Sequence, residues 1–335
     1  MTFSRSRIVS SGTSPTASPL AAFIARRVVR AFVLVLVVAS AALLLVHLAP
    51  GDAFTDLFAD PATAALERRR FGLDQPFFAQ YTAWFGRLLT LDFGESVRFR
   101  RPVAELLVER VGPTLLLGFA ALTLALGIGL PAGIFTGQGR PGLLARGIAA
   151  VSVLLLSMPP LVTALLFLLL ASKTGWFPTG GMGAADGADP LAMLAMALRY
   201  VPLPALALAV PIAASLERLQ SQAIAEALTN PCVAAARARG LSPTRVLWVH
   251  AWRLSLKPVL GVLGIVIGSV LSGSFVVEQV MSWPGLGNLM YEALTAQDLN
   301  LAAGCAAVGA AFLSLALLAT DIALASSDPR ISEPA

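Results

Sequence analysis

The side chains that could carry chemistry in this chain are few and scattered. Cys232 and Cys305 lie far apart and outside any CxxC, and His47 and His250 have no ligand-type neighbours. A disulfide scaffold and a zinc site both lack material, and no metal ligands are expected. No Gly-Lys-Ser or Gly-Lys-Thr occurs, so there is no phosphate loop and no sign of an ATPase site within the chain. No pair of acids recurs at catalytic spacing inside an apolar stretch, so no catalytic residue is expected. Glu278, near Trp283, stands out because an ionisable group at the end of an apolar segment is costly unless it is paired or faces water. It is a candidate for gating the outer face or for binding Arg98 or Arg101. Ser152, Ser157, Thr163, Ser272 and Ser274 could line a path, although small polar residues more often simply pack helices. Glu217 and Asp321 are expected near the inner membrane interface, snorkelling or paired.

Recognition chemistry is concentrated in Gln220–Lys257. Asn230-Pro231 is a cap followed by proline at the first helical position, and Ser242-Pro243 repeats it. Gly240 supplies the left-handed residue that ends a helix. Two short helices are predicted, about 231–239 and 243–256, with Pro258 opening the next apolar run. Val233, Ala234 and Ala236 to Ala238 give the first a small surface beside Arg237 and Arg239. Val246, Val249, Trp252 and Leu256 stripe the second, opposite Arg245 and Arg253. A DNA-reading pair of helices has this outline but would be pinned between apolar runs, so no nucleic-acid partner is expected. Basic residues lying on anionic lipid are a fair alternative. A small-surfaced helix entering a partner's groove fits best.

The elements that must hold these residues follow from composition. Of 335 residues, 57% are hydrophobic and only 13% charged, with net charge +5; mean hydropathy is +0.78. Soluble domains carry roughly a quarter charged residues, about twice this share. The chain reads as an all-α, multi-pass membrane protein embedded in lipid. Six stretches reach the roughly 20 apolar residues that a bilayer demands: Val28–Leu48, Pro113–Phe135, Ile148–Ala171, Val201–Leu219, Val259–Val280 and Leu301–Ile322. Pro202, Pro204 and Pro211 are expected to bend the fourth.

Arginines place the loops. Arg26, Arg27 and Arg30 precede the first span, Arg140 and Arg146 follow the second, and Arg218 to Lys257 follow the fourth. Both termini are therefore expected in the cytoplasm. The predicted organisation is a disordered tail 1–27, a first span 28–48 and an extracytoplasmic segment 49–112. A core 113–323 follows, containing the cytosolic loop 220–257, and then a cytosolic tail 324–335. The outer segment carries Phe77, Phe78, Tyr81, Trp84 and Phe85, which suit a helix lying on the spans or, less well, a docking surface for an external partner.

With these residues in place, the chain resembles permease subunits of ATP-binding-cassette importers, in the dipeptide, oligopeptide and nickel branch. Ala234-Ala-Ala-Arg-Ala-Arg-Gly240-Leu241-Ser242 is similar to that family's cytoplasmic EAA signature, with Pro258 at its closing proline. Further matches, in order, are His47-Leu-Ala-Pro-Gly-Asp52, Gly72-Leu-Asp-Gln-Pro76, Gln80-Tyr81 and Leu91-Asp-Phe-Gly-Glu-Ser96. Arg101-Pro-Val103, Pro113-Thr-Leu115, Val276-Val-Glu278, Trp283-Pro-Gly-Leu-Gly287 and Asp328-Pro-Arg330 continue the series. Departures are Cys232 in place of an aromatic, an acidic signature reduced to Glu226, Asn288, and Leu299-Asn300 after Asp298.

The resemblance implies a six-helix type I importer fold in a bacterial inner membrane. It also implies a second homologous permease, two cytosolic ATPase subunits and an extracytoplasmic solute-binding protein. No cofactor is expected on this chain itself, ATP and Mg belonging to the ATPases. The ATPase-coupling residues it points to are Val233, Ala234, Ala235, Ala236, Arg237, Ala238, Arg239, Gly240, Leu241 and Ser242. Peptides are the commonest cargo of the branch, with nickel chelates and glutathione-like solutes as alternatives. A self-contained secondary transporter would need inverted repeats and intramembrane charged sites, neither of which is visible in the sequence. Gly240→Pro and Ala236→Trp are each expected to abolish uptake while membrane fractionation shows normal insertion.

Overall fold

Proline dictates where the helices start. Seven of the described helices open on one, which is tolerated there because the first N–H of a helix has no partner to lose. The computed structural model describes residues 19–49, 61–72, 74–139, 142–182 and 190–327. The helices are α1 (Pro19–Leu48), α2 (Pro61–Arg70), α3 (Phe77–Leu89), α4 (Val103–Gly137), α5 (Leu143–Leu156) and α6 (Pro160–Thr174). Then come α7 (Pro190–Tyr200), α8 (Pro202–Thr229), α9 (Pro231–Ala238), α10 (Pro243–Val280), α11 (Leu286–Thr295) and α12 (Leu299–Ser327). Among the described residues the only extended pairing is an isolated bridge between Glu95 and Pro102. Expectations for residues 1–18, Pro50–Asp52, Leu73, Arg140 and Asp328–Arg330 fall outside the described residues, as does most of the tail 324–335.

Among the described residues five helices are long and apolar enough to cross a membrane: α1, α4, α8, α10 and α12. The predicted single span Ile148–Ala171 is instead two helices, α5 and α6, whose axes turn by 111°. Pro159-Pro160 supplies the reason: neither residue has an N–H to continue the helix, and each restricts the residue before it. Spans also overrun their predicted ends. α1 begins at Pro19, inside the predicted tail. α4 begins ten residues before Pro113, which it carries in its interior. α8 continues ten residues past Leu219. Predicted loop helix 243–256 is the start of α10, which passes through Pro258 without ending. Only residues 230–242, not 220–257, connect α8 and α10 other than as part of them.

The π-helical turn Val246–Ala251 within α10 also shifts the anticipated stripe. An i+5 bond pattern rotates side chains away from the 3.6-residue period, so Val246, Ala251 and Ser255 are buried while Val249 is exposed.

Packing centres on α4 against α8. Leu117, Ala121, Ala125, Gly129, Gly133 and Gly137, four residues apart, are the buried ridge of α4. A Cβ at Gly129 would come 2.6 Å from the Ala213 carbonyl oxygen, and one at Gly133 would come 2.6 Å from that of Glu217. Small residues let the backbones touch, which is how membrane helices gain dispersion energy when lipid offers no hydrophobic drive.

These contacts also set direction. Gly129 meets Ala213 and Leu216, Gly133 meets Glu217 and Gln220, and Gly137 meets Ser221 and Ile224, so α4 and α8 run parallel. The chain must return across the membrane between them, and α5 with α6 makes that sixth crossing. α10 runs the other way, with Ser255 bonded to Gln220 at one end and Glu278 bonded to Thr114 at the other. α12 opposes α10, since Gly264 faces Leu317 and Gly268 faces Leu313. Its end holds Asp321, 2.6 Å from Arg27 of α1. One face of the molecule thus carries Arg27, Asp321, the ends of α4 and α8, and α9. The opposite face carries α3, α11 and the starts of α4 and α12.

Gly133→Ala is expected to destabilise the purified chain by about 2 kcal/mol or more, because backbone atoms cannot yield to the new Cβ. Gly127→Ala, where nothing lies within 4 Å, is the control and stays within about 1 kcal/mol of the parent. Thermal unfolding in detergent compares the two.

Candidate functional site

On the face shared with Arg27 and Asp321, α9 is a capped knob. The Asn230 side chain accepts a bond from the Cys232 N–H at 3.0 Å, and Ser242 accepts one from Arg245 at 3.4 Å. Gly240, at φ +76°, ends the helix with its N–H on the Arg237 carbonyl at 2.9 Å. No atom lies within 4 Å of a Cβ at Gly240, so glycine is needed there for its backbone angle and not for room.

The knob has two sides. Val233 and Ala236 are fully buried in a cluster with Ile134 of α4, Ile224 and Ala227 of α8, and Val246 and Ala251 of α10. Leu241 packs against the same cluster. Cys232, Ala234, Ala235, Arg237, Ala238 and Arg239 are exposed, as are Gly240 and Ser242. The surface available to a partner is therefore Ala234, Ala235 and Ala238 with two arginines. Val233 and Ala236, both expected in that surface, belong instead to the anchor, because only every third or fourth residue of a helix shares a face. A Trp at 236 would disrupt packing within the chain and so could not report on docking.

On the opposite face, two clasps join elements far apart in sequence. Glu278, fully buried, accepts bonds from the Thr114 hydroxyl at 2.8 Å and from the N–H groups of Gly287 at 2.6 Å and Asn288 at 3.3 Å. Thr114 in turn accepts the Leu286 N–H at 2.7 Å. Trp283, 1% exposed, donates its indole N–H to the Pro113 carbonyl at 3.1 Å. A carboxylate at the first turn of α11 suits the unpaired N–H groups and positive dipole end there. Neither expected arginine is its partner. Arg98 lies 3.9 Å from Glu292, and Arg101 pairs with Glu105 and Glu109, which hold its guanidinium above the ordinary range.

The second clasp is Asp298, also fully buried. It accepts from Ser96 at 2.6 Å, from the Arg98 N–H at 3.1 Å, and from the Leu301 N–H at 3.1 Å as the cap of α12. Asn300 adds a bond to the Glu95 carbonyl at 3.0 Å. Nearby, Trp84 is buried among Ala39, Leu43, Ala303 and Ala307, and Tyr81 bonds Ser40 at 2.9 Å. The aromatic face of α3 thus lies on α1 and α12.

Among the gate and path candidates Glu278, Trp283, Ser274, Ser152 and Thr163 are buried, Ser157 is exposed, and so is Ser272. It lines a groove of about 670 Å³ with Pro160, Gly268, Ser269, Val276 and Leu313. Ser274 is buried and bonds the Leu271 carbonyl at 2.9 Å, a packing role. Thr163 likewise bonds Pro160, and Ser157 bonds Val153. Sequence reasoning missed Thr114, Ser96 and Asp298 as structural groups, although an Asp just before an apolar helical run is a legible cap signal. It also missed the Gln220 to Ser255 bond at 2.8 Å, for which the sequence carries no signal.

A family model described as "Binding-protein-dependent transport system inner membrane component" matches residues 129–333. Its N-terminal companion, "Binding-prot-dependent transport system membrane comp, N-term", matches residues 20–117. The oligopeptide transport system permease protein AppB of Bacillus subtilis is 33% identical over 318 residues, covering 93% of this chain and 99% of its own. A putative peptide permease of Brucella suis is 35% identical, covering 86% of this chain and 91% of its own. The di/tripeptide transport system permease DppB of Pseudomonas aeruginosa is 32% identical, with 86% and 91% covered. Among solved structures, the MetNI methionine ABC transporter in inward-facing form superposes with TM-score 0.55 at 19% identity, covering 67% of this chain and 97% of that one.

Glu278→Leu removes both acceptor oxygens and leaves the Gly287 and Asn288 N–H groups buried without that partner, and is expected to cost roughly 3 kcal/mol. Hydrogen exchange should quicken at residues 286–288 and stay unchanged in α9.

Proposed function

The chain belongs to the binding-protein-dependent transport system inner membrane component family, and on that premise we propose how its two faces serve transport. It is a multi-pass inner-membrane permease subunit of an ABC importer. We infer that α9 is where a partner ATPase docks, and that a second homologous permease completes the path. ATP and Mg would be held by two such ATPase subunits, and a solute-binding protein would deliver cargo at the opposite face. Peptides are the proposed cargo, supported by the peptide and oligopeptide names of relatives that span nearly the whole chain.

The observation that carries this reading is the two-sided build of α9. Val233 and Ala236 root it in α4, α8 and α10 at once, so a displacement of the knob is passed to three spans. Ala234, Ala235 and Ala238 allow close approach, while Arg237 and Arg239 offer charge to acids of an ATPase groove. Ser272, on the open groove, is the proposed path residue. Glu278 and Trp283 hold the outer ends of α4, α10 and α11 together, so any gate there moves as one body.

With the permease pair and ATPases in proteoliposomes, Ala235→Trp is expected to cut binding-protein-dependent dipeptide uptake about tenfold or more, the effect of roughly 1.4 kcal/mol of lost docking. Its melting temperature should match the parent. Ala236→Trp should instead lower the melting temperature. Full uptake by Ala235→Trp and by Gly240→Pro would remove α9 from the coupling route. ATP-driven uptake of a nickel chelate but no peptide would overturn the cargo.

A further inference from the structure

Glu217 is the buried ionisable group that neither face accounts for. It is 2% exposed, on α8, level with Gly133 and thus one helical turn in from the end of α4. Its Oε1 accepts the Thr136 hydroxyl at 2.5 Å. Its Oε2 is buried and has no hydrogen-bond partner among the described residues. A carboxylate accepts through both oxygens, and leaving one unmet in a low-dielectric interior is costly.

The same side chain lines a cavity of about 660 Å³ between α4, α5 and α8. Ile128 and Ala132 form one wall, Leu144, Ile148 and Val151 of α5 another, and Val210 and Ala214 the third. Apart from Ser152 and Glu217 the lining is apolar or glycine. Leu143 and Leu144 at the start of α5 also line it and are exposed. This volume falls within the range of small-molecule sites, roughly 300–1,000 Å³, and such sites pair an apolar body with a few placed polar groups. Here the placed group is the Glu217 carboxylate, one oxygen of which has no donor among the described residues.

We propose that this cavity binds a protonated primary amine carried on an apolar body, the ammonium seated on Glu217 and the chain lying along α5. An alcohol could donate a bond but not match the charge, and an acid would be repelled. Two sources supply this chemistry: an aminolipid of the surrounding bilayer entering from the α4 and α5 ends, and a free hydrophobic amine. Occupancy would wedge α5 against the α4–α8 ridge and so tune the motion that α9 passes to those helices.

The full chain in phosphatidylglycerol nanodiscs provides the test. Dodecylamine is expected to give a saturable rise in melting temperature that dodecanol does not. Glu217→Gln keeps the size and the Thr136 contact, and should lose that difference. Gly147→Leu fills the cavity from α5, where a Cβ meets nothing within 4 Å, and should lose it without touching Glu217. If the glutamine variant fails to fold, the leucine variant decides. Discs of phosphatidylethanolamine that raise the melting temperature of the parent but not of either variant identify the lipid as the source. A rise with dodecylamine alone identifies the free amine. An equal rise with dodecanol, a rise that survives both substitutions, or no rise with either amine source overturns the proposal.

Discussion

The backbone contact between α4 and α8 is the constraint on which the rest of this structure depends. Residues Gly129 and Gly133 bring the two helices so close that carbonyl oxygens of α8 occupy the space of side chains. Because the two helices are parallel, the segment between them has to recross the bilayer. That requirement is met by a broken pair, since Pro159-Pro160 forbids one continuous helix. α10 then returns antiparallel, and α12 and α1 pack outside it. The order and sense of every later span follow from that one close approach.

A second constraint is the bilayer's intolerance of unpaired polar groups. Several buried polar side chains of the described residues tie one element to another. Glu278, Thr114 and Trp283 close the starts of α4 and α11 onto the end of α10. Asp298 and Ser96 fasten the outer segment to α12. Gln220 and Ser255 do the same for α8 and α10 near the other face.

Short strings that look unrelated along the chain meet in this arrangement. Leu91–Ser96 touches Asp298, and Pro113-Thr114 touches both Glu278 and Trp283. Each string alone is weak evidence, but a bond across more than 160 positions explains why they occur together. The caps Asn230 and Ser242 and the turn at Gly240 were legible because they are local: their partners lie within three residues. The inward-facing side of α9 was not, because which alanines face the spans depends on where Ile134, Ile224 and Val246 arrive.

Composition, proline positions and the run of apolar residues by themselves determined that this is a helical, multi-pass membrane protein with a capped knob at Pro231–Gly240. Those features are local or additive, and hydrophobicity and capping act over a few residues. Tertiary structure alone decided that span three is broken and that α8 and α10 absorb most of the expected loop. It also decided that Glu278 is a clasp bound to neither Arg98 nor Arg101 and that Glu217 lines an apolar cavity. These outcomes hinge on which backbones approach within van der Waals contact, and on where a π turn rotates a helix face. Neither is written in any short stretch of residues, because a buried carboxylate's role is set by the atoms that other parts of the chain bring to it.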